Sequence, residues 1–239
     1  MAAAPDAHAA SLARWTRIAQ AAKSHPLMAV ISVLGTLATF VVGSVRVTGI
    51  VLGASASPLA ETIAPGTLGL PAVPSYRYVS VSSAKRQITV DIPTTWPSTP
   101  GNGWHAHGLP PIPEGQVIGP GLNAAPDVEA WRRAGEFDTP GVFVGASKTI
   151  LDDYSPQEVL QAVAFAGCTR SERTAYENAD FSGAIVVWSC RGRAQWRVLA
   201  AIPRDSTAYL LYVQVKLVTS ADVEAYNRIL ETFKVHFDA

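Results

Sequence analysis

From Leu27 to Val45 the chain runs nineteen residues, LMAVISVLGTLATFVVGSV, without a charge, and that run limits what can be built around it. As an α-helix rising ~1.5 Å per residue it spans about 28 Å, close to the hydrocarbon thickness of a bilayer. Lipid offers no partner for backbone amides, so the run must be helical, and its Gly35, Gly43, Ser32, Thr36 and Thr39 are tolerated there. Arg14, Arg17 and Lys23 on the N-terminal flank place that flank in the cytoplasm. The expected organisation is a cytoplasmic basic tail over 1–26, a transmembrane helix over 27–45 and a domain on the far side.

A buried core helix is a poor fit to a basic tail before the run and a Pro-rich segment after it. A cleaved signal peptide stays open as an alternative, because Ala54-Ser55-Ala56 has the small-x-small form of a cleavage site. Against it, a signal core is typically ~7 to 15 residues, and Arg46 stands between this longer run and the site. Either way the domain is exported: the anchor reading gives a single-pass cell-membrane protein, N-terminus inside, whose first partner is the lipid bilayer at 27–45.

Charge is balanced at 19 basic and 19 acidic residues, so no overall field draws the chain to nucleic acid. Residues 1–46 carry a net +3 and residues 76–239 a net −2, which puts the basic end at the membrane. Leu12, Trp15, Ile18 and Ala22 recur at helical spacing, so the tail either lies as an amphipathic helix on anionic lipid or is frayed.

Residues 46–75 read as a Pro-rich spacer, and 76–239 as one domain of ordinary size. Tyr78 to Val81 and Gln87 to Ile92 suggest a first hairpin, followed by a stretch from Pro93 to Pro126 too rich in Pro and Gly to be regular. Asp127 to Arg133 suggests a short helix, and Gly141 to Gly145 a buried strand. Ser155, Pro156 and Glu158 form a capping box ahead of an apolar helix face, which puts Asp152 and Asp153 in the preceding turn rather than in a catalytic pair. Cys168 to Tyr176, Phe181 to Cys190, Ala194 to Ile202 and Ala208 to Leu217 read as an antiparallel meander. In the last strand Gln214 and Lys216 alternate with apolar residues, predicting one buried and one partly wet face. Thr219 and Asp222 suggest a second capping box, opening a helix whose Val223, Tyr226, Leu230 and Phe233 would cover that buried face.

Cys168 and Cys190 are the only cysteines, equidistant from a turn centred at Ala179. Directly opposed antiparallel neighbours approach to ~4.5 Å between Cα atoms, near the lower limit for a disulfide, and an exported domain meets an oxidising compartment. A structural Cys168–Cys190 disulfide is expected, with two buried thiols as the alternative. Trp188 and Trp196 lie across a turn, as core packing or as an exposed patch.

No motif specifies a reaction. His105 and His107, in WHAH, would share one side of an extended segment, and Glu114 or Asp138 could complete a metal site. Solvent-facing loop histidines are the plainer reading. Gly119 to Ala124 is only a loose G-x-G-x-x-A, and Gly141 to Thr149 lacks phosphate-loop spacing. No catalytic residue and no cofactor is assigned.

The order of the Ser155-Pro156 helix, Cys168, Cys190 and then AIPRDSTAYLLYVQVKLVTSADVEAYNRILETFKV resembles the extracytoplasmic PsbP-like domains, including LpqN-type lipoproteins, of high-GC Gram-positive bacteria. ITVDIPTTWP, a strand running into Pro93 and Trp96, is similar to that group's opening. The likeness covers about 76–236. It implies an α+β fold, an antiparallel sheet of about six strands or more with covering helices, and a non-enzymatic role in the cell envelope. LpqN-type members are lipid-anchored at a cysteine, whereas none precedes Cys168 here, so the tether must be the helix. The expected function is therefore an anchored binding or scaffold module for an unidentified envelope protein or ligand. A small exported hydrolase or metal-dependent enzyme using the His105/His107 loop is the alternative.

Overall fold

The computed structural model describes residues 62–100 and 103–237; the tail, the 27–45 run and the first half of the spacer lie outside the described residues. Among the described residues no helix is long and apolar enough to cross a membrane.

The first hairpin forms as expected, β1 (Tyr78–Ser82) antiparallel to β2 (Ile88–Pro93), whose Ile88, Val90 and Ile92 are fully buried. The Pro93 to Pro126 stretch departs from the irregular structure expected of it. It holds four short strands, β3 (Ser98–Pro100), β4 (Trp104–His105), β5 (Val117–Gly119) and β6 (Gly121–Ala124). β3 pairs with β6 and β4 with β5 across the stretch, and β6 pairs in addition with the strand that follows; residues so far apart in sequence set these registers that local composition could not reveal them. After α1 (Val128–Arg132), capped by Asp127, comes β7 (Gly141–Ser147), the centre of the pairing that orders β6.

A 3-10 turn over Thr149–Asp152 leads to α2 (Pro156–Ala162), whose capping box joins Ser155 and Glu158, so Asp152 and Asp153 sit exposed in that turn. The meander follows as β8 (Thr169–Arg170), β9 (Thr174–Glu177), β10 (Phe181–Ser189), β11 (Gln195–Pro203) and β12 (Leu210–Leu217). α3 (Ser220–Thr232) and β13 (Lys234–Val235) complete the chain. All pairings are antiparallel. The large sheet runs β3-β6-β7-β12-β11-β10-β8 with β9 also on β10, and a smaller one runs β1-β2-β13. The domain is α+β.

One expected strand, 168–176, is two. Glu177 opposes Ser182 in β9, whereas Arg170 opposes Trp188 in β8, so the register slips by one residue between them. Continuing the β9 register would carry Cys168 past Cys190. The slip brings the two opposite each other, and the disulfide is present with its Cα atoms 4.2 Å apart.

The sheet is buried on both faces. One carries Leu122, Val144, Val213, Leu199 and Ile185 against α3 and β2, as the C-terminal helix pattern indicated. The other carries Tyr212, Val198, Trp196 and Trp188 against α1 and α2. The partly wet face expected for β12 holds at Gln214, which is half-buried beside a cleft, and fails at Lys216, which has no exposed surface because α1 and the segment after it close over it. Its Nζ donates to the carbonyls of Trp131 (3.1 Å) and Glu136 (2.7 Å) and lies 4.8 Å from the centre of the Trp196 ring. These contacts stop short of replacing bulk water, and burial lowers the Lys216 pKa to about 8, against the opposing pull of Glu136 and Asp138.

A depressed lysine pKa means that the unfolded chain binds more protons between pH 8 and the ordinary lysine value, so stability rises with pH across that window. The expected rise is of order 2–3 kcal/mol. Tyrosines whose pKa values burial raises, such as Tyr176 at about 12, oppose the trend from about pH 10 upward, where the unfolded chain's tyrosines ionise first. Urea titrations from pH 7 to 9.5, below the tyrosine region, should show the rise in the native sequence and none in Lys216→Met.

The spacer boundary at Ser75 also shifts. Ile63 and Leu70 are buried in the core, the Asn227 side chain bonds both backbone groups of Ile63, and Ser220 donates from its amide to the Pro71 carbonyl. Apolar side chains that find a vacant core edge dock there whatever the proline content around them.

Candidate functional site

On the second face of the sheet, the strands leave a cleft of about 650 Å³ between the β4–β5 hairpin and the segment after α2. Its floor is one row across three strands: Asn123 of β6 opposes Phe143 of β7, which opposes Gln214 of β12. Two residues along lies the row of Gly121, Gly145 and Tyr212. A Cβ on Gly145 would stand 2.9 Å from Phe143 and 3.0 Å from Trp104. The missing side chain is what lets Trp104 lie over the sheet. Trp104 stacks on Tyr212 with ring centroids 5.1 Å apart and meets Phe143 edge-on at 6.2 Å. Gly119, in the loose G-x-G-x-x-A, meets a different need. A Cβ there would sit 1.9 Å from the Ala146 carbonyl oxygen, so only glycine lets β5 approach β7.

The opposite wall is Trp131, Val163 and Phe165. Phe165 stacks on Trp196 at 4.4 Å with planes 3° apart and meets Trp188 edge-on at 5.1 Å, so Trp188 and Trp196 are core residues backing this wall. The guanidinium of Arg170 donates to the Leu160 carbonyl at 3.1 Å and, with the disulfide, ties this segment to the end of the sheet.

The polar groups of the cleft are few and differently engaged. Asn123 is only 4% exposed, yet its side-chain amide has no hydrogen-bond partner among the described residues. The Tyr212 hydroxyl donates to Gln214 Oε1 at 2.9 Å, which fixes that amide and leaves its NH₂ toward the cleft. Burial pushes the Tyr212 hydroxyl well above its ordinary pKa, so it stays a neutral donor. Arg132 lies on the rim, 4.0 Å from Glu129 in an exposed pair worth little.

Both sequence-selected histidines line this cleft. His105 donates from Nδ1 to the Gly115 carbonyl at 2.9 Å, and His107 pairs through Nδ1 with Glu114 Oε1 at 2.5 Å. The His107 contact, and then the Gly108 amide, hold the Glu114 carboxyl below its usual range. Nε2 of each ring is left as the atom able to meet a ligand. Their loop is held by paired backbone bonds between Ala106 and residues 115 and 116, and by the Tyr154 hydroxyl on the Pro110 carbonyl. Among the described residues no group of three His, Cys, Asp or Glu is placed to hold a metal. His236 lies apart, its amide on the Gln87 carbonyl.

Sequence reasoning reached the two histidines and the loop that carries them but not Asn123, Phe143, Tyr212 or Trp104. One signal was there: an Asn inside a strand is unusual, and this one sits in the dismissed glycine motif.

No family model and no curated protein matches the chain. Among solved structures, it is similar to the Ran-binding protein Mog1p of Saccharomyces cerevisiae at 9% identity and TM-score 0.35, covering 67% of this chain and 96% of that one. It is also similar to cyanobacterial PsbP (CyanoP) from Synechocystis sp. PCC 6803 at 11% identity and TM-score 0.35, covering 69% of this chain and 95% of that one. Likenesses of that size carry no argument about function.

Proposed function

We propose that this chain is a membrane-anchored extracytoplasmic binding module of the cell envelope, PsbP-like in its domain, that holds a ligand in the cleft over Asn123, Phe143 and Gln214. The observation that supports binding is the make-up of the cleft. Aromatic walls from three separate segments converge on two side-chain amides, and the buried one, Asn123, has no protein partner among the described residues. Open to the cleft rather than sealed from it, that amide is a ready polar partner for a ligand. The uncharged 27–45 run supports the anchor, and the disulfide fits export.

Fusion of alkaline phosphatase after Ala239 tests the placement: activity is expected, and an inactive fusion alongside a fluorescent cytoplasmic reporter would overturn it. One observation favours a second reading, a metal-dependent or hydrolytic enzyme: the 2.5 Å His107–Glu114 pair at the cleft rim. Zinc titrated into the protein separates the two. Heat of binding that disappears when both His105 and His107 are alanine supports the enzyme; none supports the module.

A further inference from the structure

The groups lining the cleft say more about its occupant than that one exists. Apart from the Tyr212 phenol, kept neutral by burial, the ionisable side chains lining it are Arg132, His105 and His107, all basic. His107 is already paired with Glu114, and Glu129 at 4.0 Å neutralises Arg132 only weakly, so Arg132 remains to meet a charge, with Nε2 of His105 as a further polar contact. Cationic ligands would find no counter-charge along these walls. Neutral ones would leave the rim unmatched.

The rest of the lining is flat. The Phe143 edge sits between Asn123 and Gln214 on neighbouring strands, so these two amides are set roughly 10 Å apart along the floor, at about 4.8 Å per strand. Two aromatic clusters line it, Trp104 with Phe143 and Tyr212, and Phe165 with Trp131 about the Trp196 ring. Such a slot matches a planar apolar body in shape, and its amides donate to oxygens at the body's edge.

Resting on the reading of the cleft as the module's binding site, we infer that it takes a small organic anion with a flat, ring-containing body. The acidic group faces Arg132 and His105. The ring system lies against the Trp104/Tyr212 and Phe165/Trp131 clusters, and the Asn123 amide hydrogen-bonds an oxygen on its edge. Guanidinium groups suit carboxylates because their paired N–H groups match the two oxygens.

The full chain in nanodiscs of neutral phospholipid, titrated calorimetrically against empty nanodiscs, tests this with two probes of one shape and opposite charge. 2-Naphthoate should bind at one saturable site, and 2-naphthylmethylammonium should not. Arg132→Gln, an exposed change that leaves the core intact, should weaken 2-naphthoate at least tenfold, and Asn123→Leu should weaken 6-hydroxy-2-naphthoate, whose hydroxyl supplies the edge oxygen, at least tenfold. Preference for the cation, lost in Asn123→Leu, would overturn the anionic class while leaving the cleft as a binding site. Binding of neither probe, or naphthoate binding indifferent to both substitutions, would remove the class and the cleft reading together.

Discussion

Asp222→Ala is expected to destabilise the domain by about 4 kcal/mol, the largest effect of any single polar substitution here. Asp222 is fully buried where β12 ends and α3 begins. Its Oδ2 accepts from the amides of Val218 (3.0 Å) and Thr219 (2.7 Å) and from the Thr219 hydroxyl (2.9 Å), while Oδ1 accepts from the Tyr76 hydroxyl at 2.8 Å. Burial pushes the carboxyl upward in pKa, and these bonds, led by Tyr76, pull against it. Alanine removes every acceptor at once and strips two amides and two hydroxyls, all part-buried, of their partner, each costing up to about 1–3 kcal/mol. It also uncouples Tyr76, which lies 5.8 Å from the Trp96 ring, from the helix start. Urea unfolding followed by tryptophan fluorescence reads the loss. Asn, which keeps the shape but turns one oxygen into a donor, should cost roughly half as much, about 2 kcal/mol. Equal stability of the alanine variant and the native sequence would show that the carboxylate is not the hub of this junction.

Removing the disulfide through Cys168→Ser and Cys190→Ser together should cost about 3 kcal/mol in the chain-entropy model for the 22-residue separation. At ~2–4 °C per kcal/mol for a domain of this size, the melting temperature should fall by roughly 6–12 °C. Local consequences follow as well. The Cys168 amide donates to the Phe165 carbonyl at 3.2 Å, and Phe165 is the ring stacked on Trp196 along the cleft wall. Loosening this end of the sheet should therefore change Trp196 fluorescence before global unfolding. Thiol counting on denatured, unreduced protein checks the premise: no reactive thiol is expected, and two would overturn it.

What could be read ahead of the fold was what depends on neighbours in the chain. Ser155 and Glu158 announced α2, Thr219 and Asp222 announced α3, and alternation or apolar runs announced β2, β7, β10, β11 and β12, because caps and periodicity are local. The cysteine pairing was expected from equal distances about Ala179, but the hairpin runs one residue out of that register, and the slip between β9 and β8 is what brings the two together. The β3, β6 and β9 strands were not legible, or not with their bounds, since each exists through a register that another strand imposes.

The candidate site divides along the same line. Sequence by itself determined the uncharged 27–45 run, the two covering helices, the meander and the pair of histidines in a Pro/Gly-rich loop, all properties of residue type and spacing. Tertiary structure alone decided that Lys216 would be dry and Gln214 would face a cleft, although both belong to one alternating strand. Whether a strand's second face meets water depends on what other segments lay over it, and the packing of Trp131 and α1 on one position and not the other is a long-range outcome. The same holds for Asn123, Phe143 and Gln214, which three separate strands bring into one row, held there by backbone hydrogen bonds that residue type alone could not foretell.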